Sequence, residues 1–266
     1  MSPSRVGAIV LRQVYLMRSS PQRVIPLIGW VAIDMVLWGF ISRYLNGRFN
    51  TESFTATFLG AVLLWDFLVR VMQGVTMAFF EDVWSRAFLN IFAAPITLAE
   101  YLSGLVATGV ATSLVGLVVM IALATSAFGL SFAAYGPALV PFVVLLFLSG
   151  IALGIASVAI VLRLGPASEW LIWPIPSLIL PFASVYYPIG VLPAWLQPFA
   201  RLLPPSYVFE ALRASIHGQP VDWGSLAVGG ALAVGYVILA CLLFAAVYRY
   251  AIRSGLLARY TAESVS

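Results

Sequence analysis

Between Glu100 and Arg163 the chain runs through 62 consecutive positions, 101–162, without one charged side chain. As a single helix that run would extend about 90 Å, roughly three times the ~30 Å hydrocarbon core of a bilayer. It has to fold back on itself. The reversal is marked around Gly129–Pro137, where Gly136 and Pro137 punctuate the run. Two membrane crossings are therefore expected, near 102–126 and 139–161.

The rest of the chain has the same character. Hydrophobic residues make up 62% and charged residues 9% of the 266 positions, against about 25% charged in a soluble domain. So few polar side chains cannot cover a water-soluble globule, and lipid must solvate much of the surface. Residues 24–42 are nearly apolar apart from Asp34, and 54–79 carry Asp66 and Arg70 as their charged residues. The stretches 170–187 and 225–248 complete six expected spans, the fifth made irregular or kinked by Pro174, Pro176 and Pro181. The expected fold is an all-α integral membrane protein forming one permease domain over 1–266.

Arginine placement orients the spans. Six crossings put both termini on one side, together with Arg5, Arg12, Arg18, Arg23, Arg86, Arg163, Arg249, Arg253 and Arg259. Arg43, Arg48, Arg201 and Arg213 lie on the other. By the positive-inside rule the termini and the 81–100 loop are cytoplasmic.

Three segments are not simple spans. Over 5–19, Val6, Val10, Val14 and Met17 oppose Arg5, Arg12 and Ser19, as in a helix lying in the membrane surface. Residues 80–92 repeat the pattern, with Val83, Ala87, Phe88, Ile91 and Phe92 opposing Asp82, Arg86 and Asn90 before Pro95. The 188–222 stretch carries six prolines among apolar residues, which suits a shallow re-entrant pair of short helices over 188–217.

Several chemistries are excluded or unsupported. All 14 cations are arginine, so the chain has no lysine for a Walker-type phosphate loop; any nucleotide must bind another subunit. One cysteine, Cys241, and one histidine, His217, allow neither a disulfide framework nor a Cys/His metal cluster. The basic residues flank spans and form no nucleic-acid patch. No catalytic residue, cofactor site or metal site is expected. Glu210 and Arg213, three apart, read as a surface ion pair.

Charges within the spans stand out. Asp66 and Arg70 are four apart on one helix face and can pair. Asp34 has no cation at helical spacing in its own span, so Arg70 or a facing subunit has to serve it. Each such charge alone costs about 3 kcal/mol at mid-bilayer, which makes each a candidate for a functional role.

Two longer stretches carry a family likeness. PFASVYYPIGVLPAWLQPFARLLPPSYVFEALR, Pro181 to Arg213, and EDVWSRAFLNIFAAPITLAEYLSG, Glu81 to Gly104, resemble the corresponding segments of type-2 ATP-binding-cassette (ABC) exporter permeases. The order of elements along the whole chain is similar as well. Val185 departs from the family pattern, standing where many members have glycine.

The resemblance implies a bacterial inner-membrane protein, a second permease copy enclosing a path lined by spans one, two and five, and a separate cytoplasmic ABC ATPase supplying ATP and Mg. Glu81, Asp82, Val83, Trp84, Arg86 and Phe88 would form the ATPase-coupling helix. Trp30, Asp34, Trp38, Asp66, Arg70, Tyr186 and Tyr187 are candidates to line the path. Substrates in the family are lipid-linked glycans, lipo-oligosaccharides or hydrophobic drugs. The alternatives are a secondary transporter or channel, for which only two intramembrane acids and no evident repeat speak, and a membrane-embedded enzyme.

Overall fold

The computed structural model describes residues 2–19, 21–49, 52–85, 91, 94–129 and 132–254. It is all-helical among the described residues: α1 Pro3–Ser19, α2 Pro21–Phe49, α3 Glu52–Trp84, α4 Leu98–Phe128, α5 Leu139–Leu164, α6 Ile175–Ile179, α7 Gln197–Arg201, α8 Pro204–Ile216 and α9 Trp223–Arg253. Short 3-10 turns occupy Phe132–Ala138, Pro166–Leu171 and Ile189–Val191. Four described segments are long and apolar enough to cross a membrane: Thr57–Trp84, Leu98–Phe128, Tyr135–Leu164 and Trp223–Arg253.

Local sequence explains the ends of these helices. Thr97 caps α4 through a reciprocal capping box, its side chain accepting from Glu100 N while the Glu100 carboxylate accepts from Thr97 N. Gly129 closes the same helix in the left-handed region, φ +68°. The expected reversal follows, with Gly136 at φ +56° and Pro137 inside the 3-10 turn. Asp222 caps α9 by accepting from the backbone of Gly224 and Ser225. Those four hydrogen-bond partners are local, so each cap can form before the bundle packs.

α3 is the spine. Of the four apolar helices it is the most buried, with 67% of its most apolar stretch inside, whereas α9 on the outside has 22%. α4 and α5 pack against its flanks and α9 against α5. The close approach on one flank depends on Gly150 and Gly154 of α5. A Cβ at Gly150 would stand 2.6 Å from Val71 Cβ, and one at Gly154 2.8 Å from Val75 Cβ. Gly150 and Gly154, one turn apart, thus form the α3–α5 contact.

Two regions differ from the sequence reading. Residues 80–84 continue α3 without a break, because no glycine or proline interrupts 75–84; the expected separate helix over 80–92 is described only to this point, with Ile91 helical and residues 86–90, 92 and 93 outside the described residues. Over 170–187 the chain has the 3-10 turn, the five-residue α6 and a run of turns through 180–184, none long enough to span ~30 Å alone. Pro174, Pro176 and Pro181 remove donors and clash with preceding carbonyls, which is why the kinks expected there become breaks.

Candidate functional site

The middle of α3 meets α2 in a charged cluster. Asp66 and Arg70 lie one turn apart, and Arg70 Nε donates to Asp66 Oδ2 at 2.7 Å. Arg70 Nη2 also stands 3.8 Å from Asp34 Oδ2, so the partner of Asp34 comes from α3. The guanidinium stem fits because α4 presents Gly116 there; a Cβ at that position would lie 3.3 Å from Arg70 Cδ. Arg70 is the best covered of the three, its side chain 11% exposed, against 18% for Asp66 and 39% for Asp34.

Aromatic rings border this cluster. Trp38, one turn along α2 from Asp34, has its ring centroid 5.7 Å from Phe58 and 6.1 Å from Tyr186. Phe58 and Tyr186 stack at 5.6 Å. Tyr186 lies close enough to Asp34 and Asp66 to feel both charges. Of the expected path residues, Asp34, Trp38, Asp66, Arg70 and Tyr186 therefore come together. Trp30 is exposed one turn before Asp34, and the Tyr187 hydroxyl turns away to donate to Pro181 O at 2.7 Å. Phe58 was missed, although 58, 62, 66 and 70 fall on one helix face and could have pointed to it.

At the Trp84 end of α3 a second carboxylate has a different environment. Asp82 is fully buried and accepts from Arg12 and Gln13 of α1, the latter at 3.3 Å, and from the Tyr101 hydroxyl of α4 at 2.8 Å. Gln13 also donates to Ala78 O at 3.1 Å. Nearby, Glu100 accepts from Ser2 N at 2.7 Å and pairs with Arg5 at 3.4 Å. α1 is thus fastened to α3 and α4 by two acids. The signal in the sequence was Arg5 and Arg12 one face apart from the valines, but their partners lie 70 to 95 residues away.

The expected ATPase-coupling residues divide accordingly. Asp82 faces inward and Val83 is nearly covered, so both join elements of this chain. Glu81 is half-buried. Trp84 is 52% exposed, stacks on Phe80 at 5.5 Å and donates through Nε1 to Glu169 Oε2 at 3.1 Å, linking the end of α3 to the 166–171 turn. Arg86 and Phe88 lie outside the described residues.

A third polar network sits where α8 meets the 181–189 turns. Ser184 adopts φ +60°, unusual for a residue with a Cβ. Glu210 Oε1 accepts from Ser184 Oγ at 2.6 Å and from Ile189 N at 2.8 Å, while Arg213 Nη1 donates to Ser184 O at 2.8 Å and Nη2 to Glu210 at 2.9 Å. The expected ion pair forms, with the Glu210 side chain 40% exposed, and it also clamps the strained turn. Burial pushes the Glu210 carboxyl up, but Ser184, Ile189 N–H and Arg213 together hold it below its ordinary value.

No group of three or more His, Cys, Asp or Glu side chains among the described residues is placed to hold a metal ion. The sequence matches no protein-family model and has no match among curated proteins.

Proposed function

We propose that this chain is the membrane-spanning subunit of a type-2 ABC exporter, working as a dimer with a separate cytoplasmic ATPase that binds ATP and Mg. On this reading α2, α3, α4, α5, the broken 166–187 segment and α9 make six crossings of a bacterial inner membrane. Both termini and the Trp84 end of α3 are cytoplasmic, α1 lies in the membrane surface, and 188–217 dips into the outer leaflet.

The observation that carries the proposal is the continuity of α3. One unbroken helix joins the Asp66–Arg70–Asp34 cluster to Asp82 and Trp84, about 21 Å from Arg70 at 1.5 Å per residue. At its end, Asp82 fastens α1 and α4, and Trp84 reaches Glu169. A push at Trp84 therefore moves several elements together, as rigid-body transmission requires. Asp34 adds support: a carboxylate 39% exposed on a span cannot face lipid at tolerable cost, so its face of α2 borders a path or a partner.

The test is co-expression with a Walker-motif ATPase encoded beside this chain, followed by reconstitution in liposomes. The expected outcome is co-purification, with Trp84→Ala lowering transport-coupled ATP hydrolysis about tenfold, equivalent to losing ~1.4 kcal/mol of contact. Undiminished coupling in that variant would overturn the assigned lever. The excess of acid at Asp34 and Asp66 favours one other reading, a secondary transporter; flux driven by an ion gradient without nucleotide would establish it.

A further inference from the structure

The charged cluster of α2 and α3 does not balance. Arg70 is engaged by Asp66 at 2.7 Å and only approaches Asp34 at 3.8 Å, beyond hydrogen-bond reach. Two carboxylates share one guanidinium, which leaves one negative charge. Among the described residues no hydrogen bond reaches the Asp34 carboxylate, and its side chain is 39% exposed on α2. A second copy of the chain adds no net cation within the spans. Across the six spans read from the sequence Arg70 is the only basic residue, so each added copy brings two acids and one base. Within the spans no other side chain of the protein is left to balance Asp34.

What surrounds Asp34 indicates its nature. Trp38 is one turn along the same face, and Tyr186 and Phe58 complete a run of three neighbouring rings with centroids 5.6 to 6.1 Å apart. Trp38 is half-buried and Tyr186 38% exposed, so parts of both rings remain open beside the carboxylate. Aromatic faces attract a desolvated cation, and their apolar bodies hold the hydrophobic part of the molecule that carries it. We propose that Asp34, Trp38 and Tyr186 form a binding site for a hydrophobic organic cation.

The site's role as a transport site rests on the exporter reading; the binding itself does not. Within that reading it selects the substrate class. A phosphate-bearing lipid-linked glycan would bring a negative charge to a cluster already carrying one, with low dielectric magnifying the repulsion. A lipophilic ammonium or phosphonium restores neutrality. Asp66 is then a positioning residue: by holding Arg70 it keeps Asp34 available.

The experiment measures tetraphenylphosphonium binding to the full chain in lipid nanodiscs, with tetraphenylborate as an anion of nearly the same shape. The expected result is saturable binding of the phosphonium that the borate does not compete for, weakened about tenfold or more in Asp34→Asn and retained in Asp34→Glu. Asp66→Asn is the second variant. It leaves Asp34 in place but releases Arg70 to neutralise it, so phosphonium binding falls there too. Equal affinity in the wild type and both asparagine variants, or preference for the borate, would overturn the site; the same affinities are expected if a proton alone neutralises Asp34. None of these measurements needs an ATPase. Failure to find an ATPase partner would refute the exporter and leave the site standing, and loss of the site would leave the exporter standing.

Discussion

Asp66 and Asp82 lie on the same helix about 24 Å apart, yet they do opposite things with a carboxylate. Asp82 is sealed, with Arg12, Gln13 and Tyr101 from two other helices satisfying both oxygens. Asp66 shares its arginine with Asp34, and the group as a whole is left one cation short. A buried acid with both oxygens engaged by other helices fixes elements to one another. An acid cluster with excess charge and open aromatic neighbours is poised to take something up. The difference gives the Trp84 end of α3 a fastening role and, on the proposed reading, leaves recognition to its middle.

Substitution at the two acids gives the largest contrast. Asp82→Ala leaves the Arg12 charge and the buried Tyr101 hydroxyl without their acceptor, and is expected to cost about 3 kcal/mol of stability. Asp34→Ala removes a half-exposed group without hydrogen bonds and is expected to cost under ~1 kcal/mol. Thermal unfolding of both in the same detergent checks this, and equal losses would erase the distinction between the two regions.

A smaller effect is expected from the helix contact that keeps them aligned. Gly150→Val places a branched side chain where Val71 Cβ is 2.6 Å and Leu68 O 2.8 Å from the new Cβ. Overpacking of this kind costs about 2 kcal/mol. Because the contact lies between the two acids, this variant should lower the unfolding temperature and, if the chain is an exporter subunit, weaken ATPase coupling in proportion. Full stability with lost coupling would locate the transmission elsewhere.

The clamp at Glu210 supplies the smallest test and a pH dependence. Its carboxyl titrates below the ordinary 4.5 in the folded protein. The stability it contributes is therefore complete at neutral pH, begins to decline as pH falls below about 4.5, and is gone once pH passes below the depressed value. Glu210→Gln should flatten the fall in unfolding temperature as pH drops from about 4.5 through the depressed value, and leave it unchanged above. An unchanged profile would mean that the Ser184 turn is held by Arg213 alone.

Much of the helical framework was legible in the chain because membrane helices announce themselves by uninterrupted apolar length. The reversal at Gly129–Pro137 and the Asp66–Arg70 pair were readable for the same local reasons, one from glycine and proline chemistry and the other from four-residue spacing. What could not be read was long-range. Nothing near Asp82 in sequence announces that it faces inward, since its partners Arg12 and Tyr101 arrive on other helices. The amphipathic pattern over 80–92 placed it on a polar face, and a polar face can be turned toward polar partners within the protein as well as toward water. Glu210 and Arg213 looked like a surface bridge because the strained Ser184 turn they hold lies 26 and 29 residues away.

For a cytoplasmic ATPase to reach α3, its Trp84 end has to face the cytoplasm while the loop after α8 faces the other side. Single cysteines at Ser85 and Gln219, introduced with Cys241 replaced by serine, can be labelled in intact cells and in inverted vesicles with a membrane-impermeant maleimide; both native residues are exposed. The prediction is that the residue 85 cysteine reacts only in inverted vesicles and the residue 219 cysteine only in intact cells. Labelling of both from the same side would contradict the proposed topology and remove the route by which a cytoplasmic ATPase reaches α3.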